Sequence, residues 1–224
     1  MTRPKALVSW SSGKDSAYAL WQVRRSAEFE VEGIFTTITA EFERVSMHGV
    51  RERLLDRQAE ELGLPCRKIF IPSPCSNELY EEVMGSAVAE AKERGVTHFV
   101  FGDLFLADIR EYRESRLRAL GLEAVFPLWG RDTRVLAREM LAEGMEAVAT
   151  CVDPKQLAPS FAGRSFDATF LAELPASVDP CGENGEFHTF VTAGPMFGKR
   201  IAVHAGEVVE RGGFVFADVA PAEG

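Results

Sequence analysis

The sequence predicts an α/β fold, a five-stranded, mostly parallel sheet followed by a smaller α+β region. Three observations carry this. Five short β-branched or aromatic runs alternate with helical apolar patterns over the first 130 residues, the signature of right-handed βαβ crossovers. The link from the first run to the first helix, Ser11-Ser12-Gly13, carries no bulky side chain. Beyond residue 131 the alternation stops, and Gly212-Gly213 separates two strand-like runs. Two domains are expected, 1–130 and 131–224.

Leu7 and Val8 lie in the first strand, and a helix over Asp15–Ser26 follows. Val31–Thr37 is the second strand, joined through a polar connection, Glu41–Ser46, to a helix over Val50–Leu62 that Gly63 stops. Cys66–Ile71 is the third strand, ended by Pro72-Ser73-Pro74. Leu79, Val83, Ala87 and Ala91 repeat every four residues in a helix over Asn77–Arg94. Thr97–Gly102 is a strand apolar enough to be covered on both faces, and a helix over Asp108–Leu120 follows. Ala124–Leu128 is the fifth strand, and Thr133–Ala142 is helical up to Gly144. Further on, strands are expected at Ala147–Val152, Phe187–Ala193 and Arg200–His204. A hairpin is expected from Glu207–Arg211 and Phe214–Val219, and a short helix over Asp167–Leu174. Pro175–Gly185 reads as loop.

Composition narrows the function. A net charge of −9 gives no general attraction to nucleic acid, and Arg110, Arg113, Arg116 and Arg118 are interleaved with Glu111 and Glu114 as on a solvated helix face. The 4 cysteines contain no Cys-x-x-Cys pair, so no zinc or iron–sulfur pattern is present. No apolar run is long enough to cross a bilayer and no signal core follows Met1, so a cytoplasmic protein with reduced thiols is expected.

Small residues between a strand and a helix let backbone N–H groups converge on an anion, where the helix dipole favours negative charge. Ser11, Ser12, Gly13, Lys14, Asp15 and Ser16 form such a cradle, with Lys14 as a mobile ammonium. The Walker pattern Gly-x-x-x-x-Gly-Lys-Ser/Thr and the dinucleotide pattern Gly-x-Gly-x-x-Gly are both missing from it. Ser12, with a side chain, is strained in such a turn only if that position needs positive φ. Gly102-Asp103 ends the fourth strand on the same side of the sheet, where ligands of parallel sheets sit.

The string Ser11–Ser16 resembles the pyrophosphate loop of the N-type ATP pyrophosphatases, Ser-Gly-Gly-Lys-Asp-Ser, which implies a Rossmann-like (HUP) core that splits ATP between its α- and β-phosphates. Gly102-Asp103, Arg110 with Glu114, Pro127-Leu128-Trp129 and Gly182–Thr189 extend the likeness to the diphthine–ammonia ligase family. That resemblance implies adenylation of a carboxylate and its displacement by ammonia to give an amide, with ATP and Mg²⁺ required. The final motif, Glu-Asn-Gly-Glu-Phe-His-Thr, is similar to a bacterial branch. Asn184 and His188 stand where diphthamide-forming members carry Gly and an acid, which puts diphthine as the acceptor in doubt.

On this reading Glu183, Glu186 and His188 join Lys14 and Asp15 as catalytic candidates. Along an extended strand Glu186 and His188 share a face, suited to a cationic or amide group or to a general base for ammonium. Solvated turn acids and a half-buried strand histidine are the plainer reading. Asp103 is a candidate Mg²⁺ ligand or a helix cap, and Asp15 orients Lys14, approaches the metal, or is simply a first-turn acid. Arg110 reaches a phosphate or carboxylate, or pairs with Glu114 one turn on. Met47-His48-Gly49 lies where a loop approaches the nucleotide, and Cys181 is a weak nucleophile candidate with no base beside it. No glutaminase segment is legible, so ammonia would come from solution or a partner; a homodimer is compatible with the sequence. A tRNA-modifying pyrophosphatase and an ATP sensor without turnover are the rivals.

Overall fold

The computed structural model describes residues 2–46 and 48–222. The elements run β1 (Lys5–Ser9), α1 (Lys14–Ser26), β2 (Glu30–Thr39), β3 (Arg44–Val45), α2 (Glu52–Leu62), β4 (Cys66–Ile71), α3 (Asn77–Glu93), β5 (Val96–Val100), α4 (Ala107–Ala119) and β6 (Glu123–Val125). After them come α5 (Thr133–Ala142), β7 (Glu146–Val152), α6 (Ala168–Glu173), β8 (Phe187–Ala193), β9 (Val203–Arg211) and β10 (Phe214–Pro221). The expected five parallel strands are all present, ordered β4-β2-β1-β5-β6. The short β3 adds an antiparallel pairing at the far end of β2, inside the stretch expected to be a plain polar connection.

A second, antiparallel sheet has the order β8-β7-β10-β9. The expected separate strand at Arg200–His204 does not exist. Residues from Val203 onward continue into the hairpin, where β10 pairs them from Val203↔Pro221 to Phe214↔Arg211 with a bulge at Ala217/Val219. The fifth parallel strand is shorter than expected, because Pro127 lacks a donor for the ladder and Phe126–Trp129 turns away.

Local chemistry explains the helix limits. The Ser76 hydroxyl accepts from Leu79 N at the start of α3, Asp132 accepts from Arg134 N and Val135 N at the start of α5, and Asp167 accepts from Phe170 N at the start of α6. Gly63 closes α2 in the left-handed conformation at φ 64°.

Helix α1 is the shared element. One continuous apolar core joins Ala6 and Val8 of β1, Tyr18 and Leu20 of α1 and Leu54 and Leu55 of α2. It runs on to Leu136 of α5 and to Phe187 and Val191 of β8. The core is thus continuous across the expected division near residue 131, which stands as a proposal about sequence organisation. Polar ties reinforce the junction: the Tyr18 hydroxyl donates to Glu139, Trp21 Nε1 to Glu143, and Arg24 to the carbonyls of Leu62 and Met196. A second core under α3 and α4, built on Phe35, Phe99 and Leu117, covers the other face of the parallel sheet.

Candidate active site

The link from β1 to α1 is held from outside its own segment. The amide of Lys14 donates to Thr189 Oγ1 of β8 at 3.1 Å, and the Ser12 carbonyl accepts from Val191 N at 3.0 Å. The fully buried Gln58 of α2 locks this contact. Its Nε2 donates to the carbonyls of Ser12 (3.1 Å) and Val191 (2.8 Å), and its Oε1 accepts from Trp10 Nε1 at 2.9 Å. Within the loop the Ser16 hydroxyl donates to Gly13 O, and Ser11 Oγ accepts from Gly13 N. At Gly102 an added Cβ would lie 2.8 Å from the Asp15 backbone, so only glycine lets β5 end against the first turn of α1.

Ser12 does occupy the left-handed region, at φ 69°. Its hydroxyl is buried and has no partner within the chain. An L-residue costs ~1–2 kcal/mol in this region, and glycine loses ~0.5–1 kcal/mol through unfolded-chain entropy. Ser12→Gly is therefore expected to keep activity and to raise stability by up to about 1 kcal/mol, while Ser12→Val lowers it by about 2 kcal/mol; urea unfolding measures both.

Lys14 is not mobile. Its ammonium lies under the loop, 2% exposed, bonded to Asp15 Oδ2 at 2.8 Å and to the Cys181 carbonyl, with the rings of Phe187 and Phe166 at 5.3 and 5.6 Å. Burial works against this charge, but the Asp15 carboxylate and the groups beside it hold the lysine pKa above its ordinary value. Asp15 Oδ1 is buried without a partner. The Cys181 thiol is pushed upward by burial and bonds to Thr133 O, which removes it as a nucleophile.

A cavity of about 280 Å³ opens on this loop. Its walls are Ser11, Gly13–Ser16, Gly102, Asp103 and Arg113 on one side and Gly182, Glu183 and Phe187–Thr189 on the other, with His48 between. A cleft of about 730 Å³ adjoins it between α3 and α4 and shares Ser9, Ser11, His48, Phe101 and Arg113 with it. Glu183 accepts from Leu104 N (2.6 Å) and Phe105 N (3.4 Å); burial pushes its carboxyl up to about 7 despite the Leu104 amide. His188 is lowered to about 4 by burial and by Lys14, with Glu186 opposing. His48, whose ring centre is 4.4 Å from that of His188, is held well below its ordinary value by burial and by His188. Both imidazoles are neutral near pH 7.

Several expectations need correction. Glu186 does not share a working face with His188. It is 1% exposed and turned into its own loop, accepting from Asp179 N, Asn184 N and Asn184 Nδ2. Asp103 is engaged by Arg113 at 3.1 Å and caps no helix. Arg110 lies outside the cavity, pairing with Glu114 at 2.6 Å while its guanidinium stacks 4.7 Å over Trp129. Met47 lies outside the described residues. Sequence reasoning missed Gln58 and Thr189 as loop holders and the Leu104 and Phe105 amides as partners of Glu183. Only the polar Gln58 on the otherwise apolar face of α2 was a legible signal.

Residues 4–124 match the family described as Diphthamide synthase N-terminal domain, and residues 132–219 match Diphthamide synthase C-terminal domain. The chain is 29% identical to the diphthine–ammonia ligase of Homo sapiens over 240 aligned positions, spanning 97% of this chain and 89% of that protein. It is 31% identical to that of Rattus norvegicus over 186 positions, 76% of this chain and 70% of the relative. Matches covering both halves, and a cavity walled by a residue set drawn from both, lead to one conclusion: the chain belongs to the diphthamide synthase family.

Proposed function

We propose that this protein is an ATP-dependent ligase that adenylates a substrate carboxylate and converts it to an amide with ammonia. The observation that carries the reading is the pyrophosphate-type loop Ser11–Ser16, joined to Glu183 and His188 in one cavity, in a chain whose relatives are named diphthine–ammonia ligases. The triphosphate lies against the α1 N-terminus, with the base in the adjoining cleft near Thr36 and Thr37. A carboxylate oxygen attacks the α-phosphorus, the bond to the β-phosphate oxygen breaks and pyrophosphate leaves. Lys14 and the loop amides offset the negative charge that develops there. Ammonia then attacks the acyl carbon and AMP departs, with Glu183 taking the proton that the attacking nitrogen sheds.

Mg²⁺ suits this donor set. A nucleotide-borne ion needs only one or two protein carboxylates, and Asp15 Oδ1 is buried without a partner while Asp103 lines the same wall. Bound there, the ion would shield the phosphate charge. Among the described residues no group of three or more metal-type ligands exists, so a free-standing metal centre is not part of the reading. The identity of the carboxylate is left open, diphthine included, since Asn184 and His188 depart from the diphthamide-forming pattern.

Purified protein given ATP, Mg²⁺ and ammonium should release AMP and pyrophosphate only when an accepted carboxylate is added. ADP and orthophosphate as products would overturn the adenylation step. A requirement for tRNA would favour a nucleic-acid-modifying relative, and tight binding without turnover across a carboxylate panel would favour a sensor.

Glu183 supplies a pH test. As a base it works deprotonated, so the rate should rise with pH through about 7, and Glu183→Gln should flatten that limb. The sign for stability is opposite. The folded pKa lies above the ordinary 4.5, so the native state holds a proton the unfolded chain has lost, and stability falls as pH rises from 4.5 to about 7. Thermal unfolding of wild type and variant across that window measures it.

A further inference from the structure

His48 stands at the wall shared by the loop cavity and the cleft. Its Nδ1 is buried and unpartnered, and its Cε1 lies 3.3 Å from where a Cβ on Gly13 would sit, so the ring is fitted against the loop. Its own segment is tied locally, His48 N donating to Ser46 O at 2.8 Å, Gly49 N to Val45 O at 3.1 Å and Val45 N to Val50 O at 2.8 Å. The segment is also gripped by the second sheet. Thr150 Oγ1 of β7 donates to the His48 carbonyl at 3.1 Å, and Gly49, at φ 67°, packs flush on Phe216 of β10.

The strongest grip comes from Asp218 of β10. Its Oδ1 accepts from Arg44 Nη2 and Arg51 Nε, each at 3.0 Å, and its Oδ2 accepts from Arg51 Nη2 at 2.5 Å. Arg44 and Arg51 flank the two ends of the His48 segment and bridge to each other through backbone pairing, while Arg44 Nη1 also donates to Gly49 O at 2.6 Å. One carboxylate on the last strand therefore closes the segment that carries His48, by a bidentate pair on one side and a second arginine on the other.

We propose that Asp218 is a positioning residue, which sets His48 against the pyrophosphate loop by clasping Arg44 and Arg51 and thereby tunes nucleotide binding from the second sheet. The proposal rests on the nucleotide reading above only for its consequence, since the clasp itself is a matter of placement. Misplacing a site group by an ångström costs up to about a hundredfold, so Asp218→Asn should weaken ATP binding about tenfold or more.

Two measurements on the full chain decide it. The first is modification of His48 by diethyl pyrocarbonate, read by mass spectrometry with the exposed His204 as internal reference. Asp218→Asn should raise the relative rate at His48 several-fold, Asp218→Glu should restore it, and Arg51→Lys should mimic the loss. An unchanged His48 rate in Asp218→Asn overturns the proposal. The second is a double-mutant cycle on ATP affinity by calorimetry: His48→Ala with Asp218→Asn should bind no more weakly than His48→Ala alone. Additive losses would overturn it too. If wild type binds no ATP, the nucleotide reading fails while the labelling still decides the clasp.

Discussion

Lys14→Met is expected to remove most activity and to destabilise the protein by about 2–4 kcal/mol, the loss anticipated when one partner of a largely buried ion pair is deleted. Methionine keeps the length of the side chain and its contact with Phe166 and Phe187. It leaves Asp15 without its cation and the Cys181 carbonyl without its donor. The lower part of the range is the better guide to stability, because the Asp15 side chain is 27% exposed and water can solvate it. Turnover should fall about a hundredfold or more, the usual consequence of deleting one preorganised charge from a site where negative charge develops. Lys14→Arg should not rescue it, since a planar fork does not fit between two rings and a carbonyl built for an ammonium. Urea midpoints and AMP formation at saturating ATP separate the two effects; wild-type turnover in Lys14→Met would remove lysine from the reaction.

Gln58→Leu is expected to cost about 2–6 kcal/mol, because two buried polar groups lose their partners and each unpaired group costs about 1–3 kcal/mol. Trp10 Nε1 would lose its acceptor and Val191 O its donor, while Ser12 O would keep the amide of Val191. Leucine fills the space, so the effect isolates the hydrogen bonds from any cavity. Because the carbonyl of Ser12 sits in the loop itself, ATP affinity should weaken along with the urea midpoint. A variant as stable as wild type would mean that water replaces the amide.

What the chain reveals in sequence follows the range of the interactions involved. β4 over Cys66–Ile71, α5 over Thr133–Ala142 and β8 over Phe187–Ala193 have the limits expected, because proline, glycine and capping residues act within a few positions. The loop Ser11–Ser16 was legible for the same reason. Its union with Glu183 and His188 came from family likeness, since no local pattern signals a contact across more than 160 residues. Glu186 misled because strand alternation was extended one residue too far, into a turn whose amides claim the carboxylate. Arg110 has a sequence-visible partner four residues on, and that pairing is the one the structure shows.

The hydrogen bonds from Lys14 N to Thr189 and from Val191 N to Ser12 O have a consequence for how this protein changes over time. The loop that reads most plainly as a portable motif is framed by β8, more than 170 residues further along the chain. A recombination event that exchanged residues 132–219 for a foreign segment would deprive the loop of its frame. Replacing β8 therefore changes the frame of the loop together with the cavity wall that carries His188. The two halves are bound to a common inheritance.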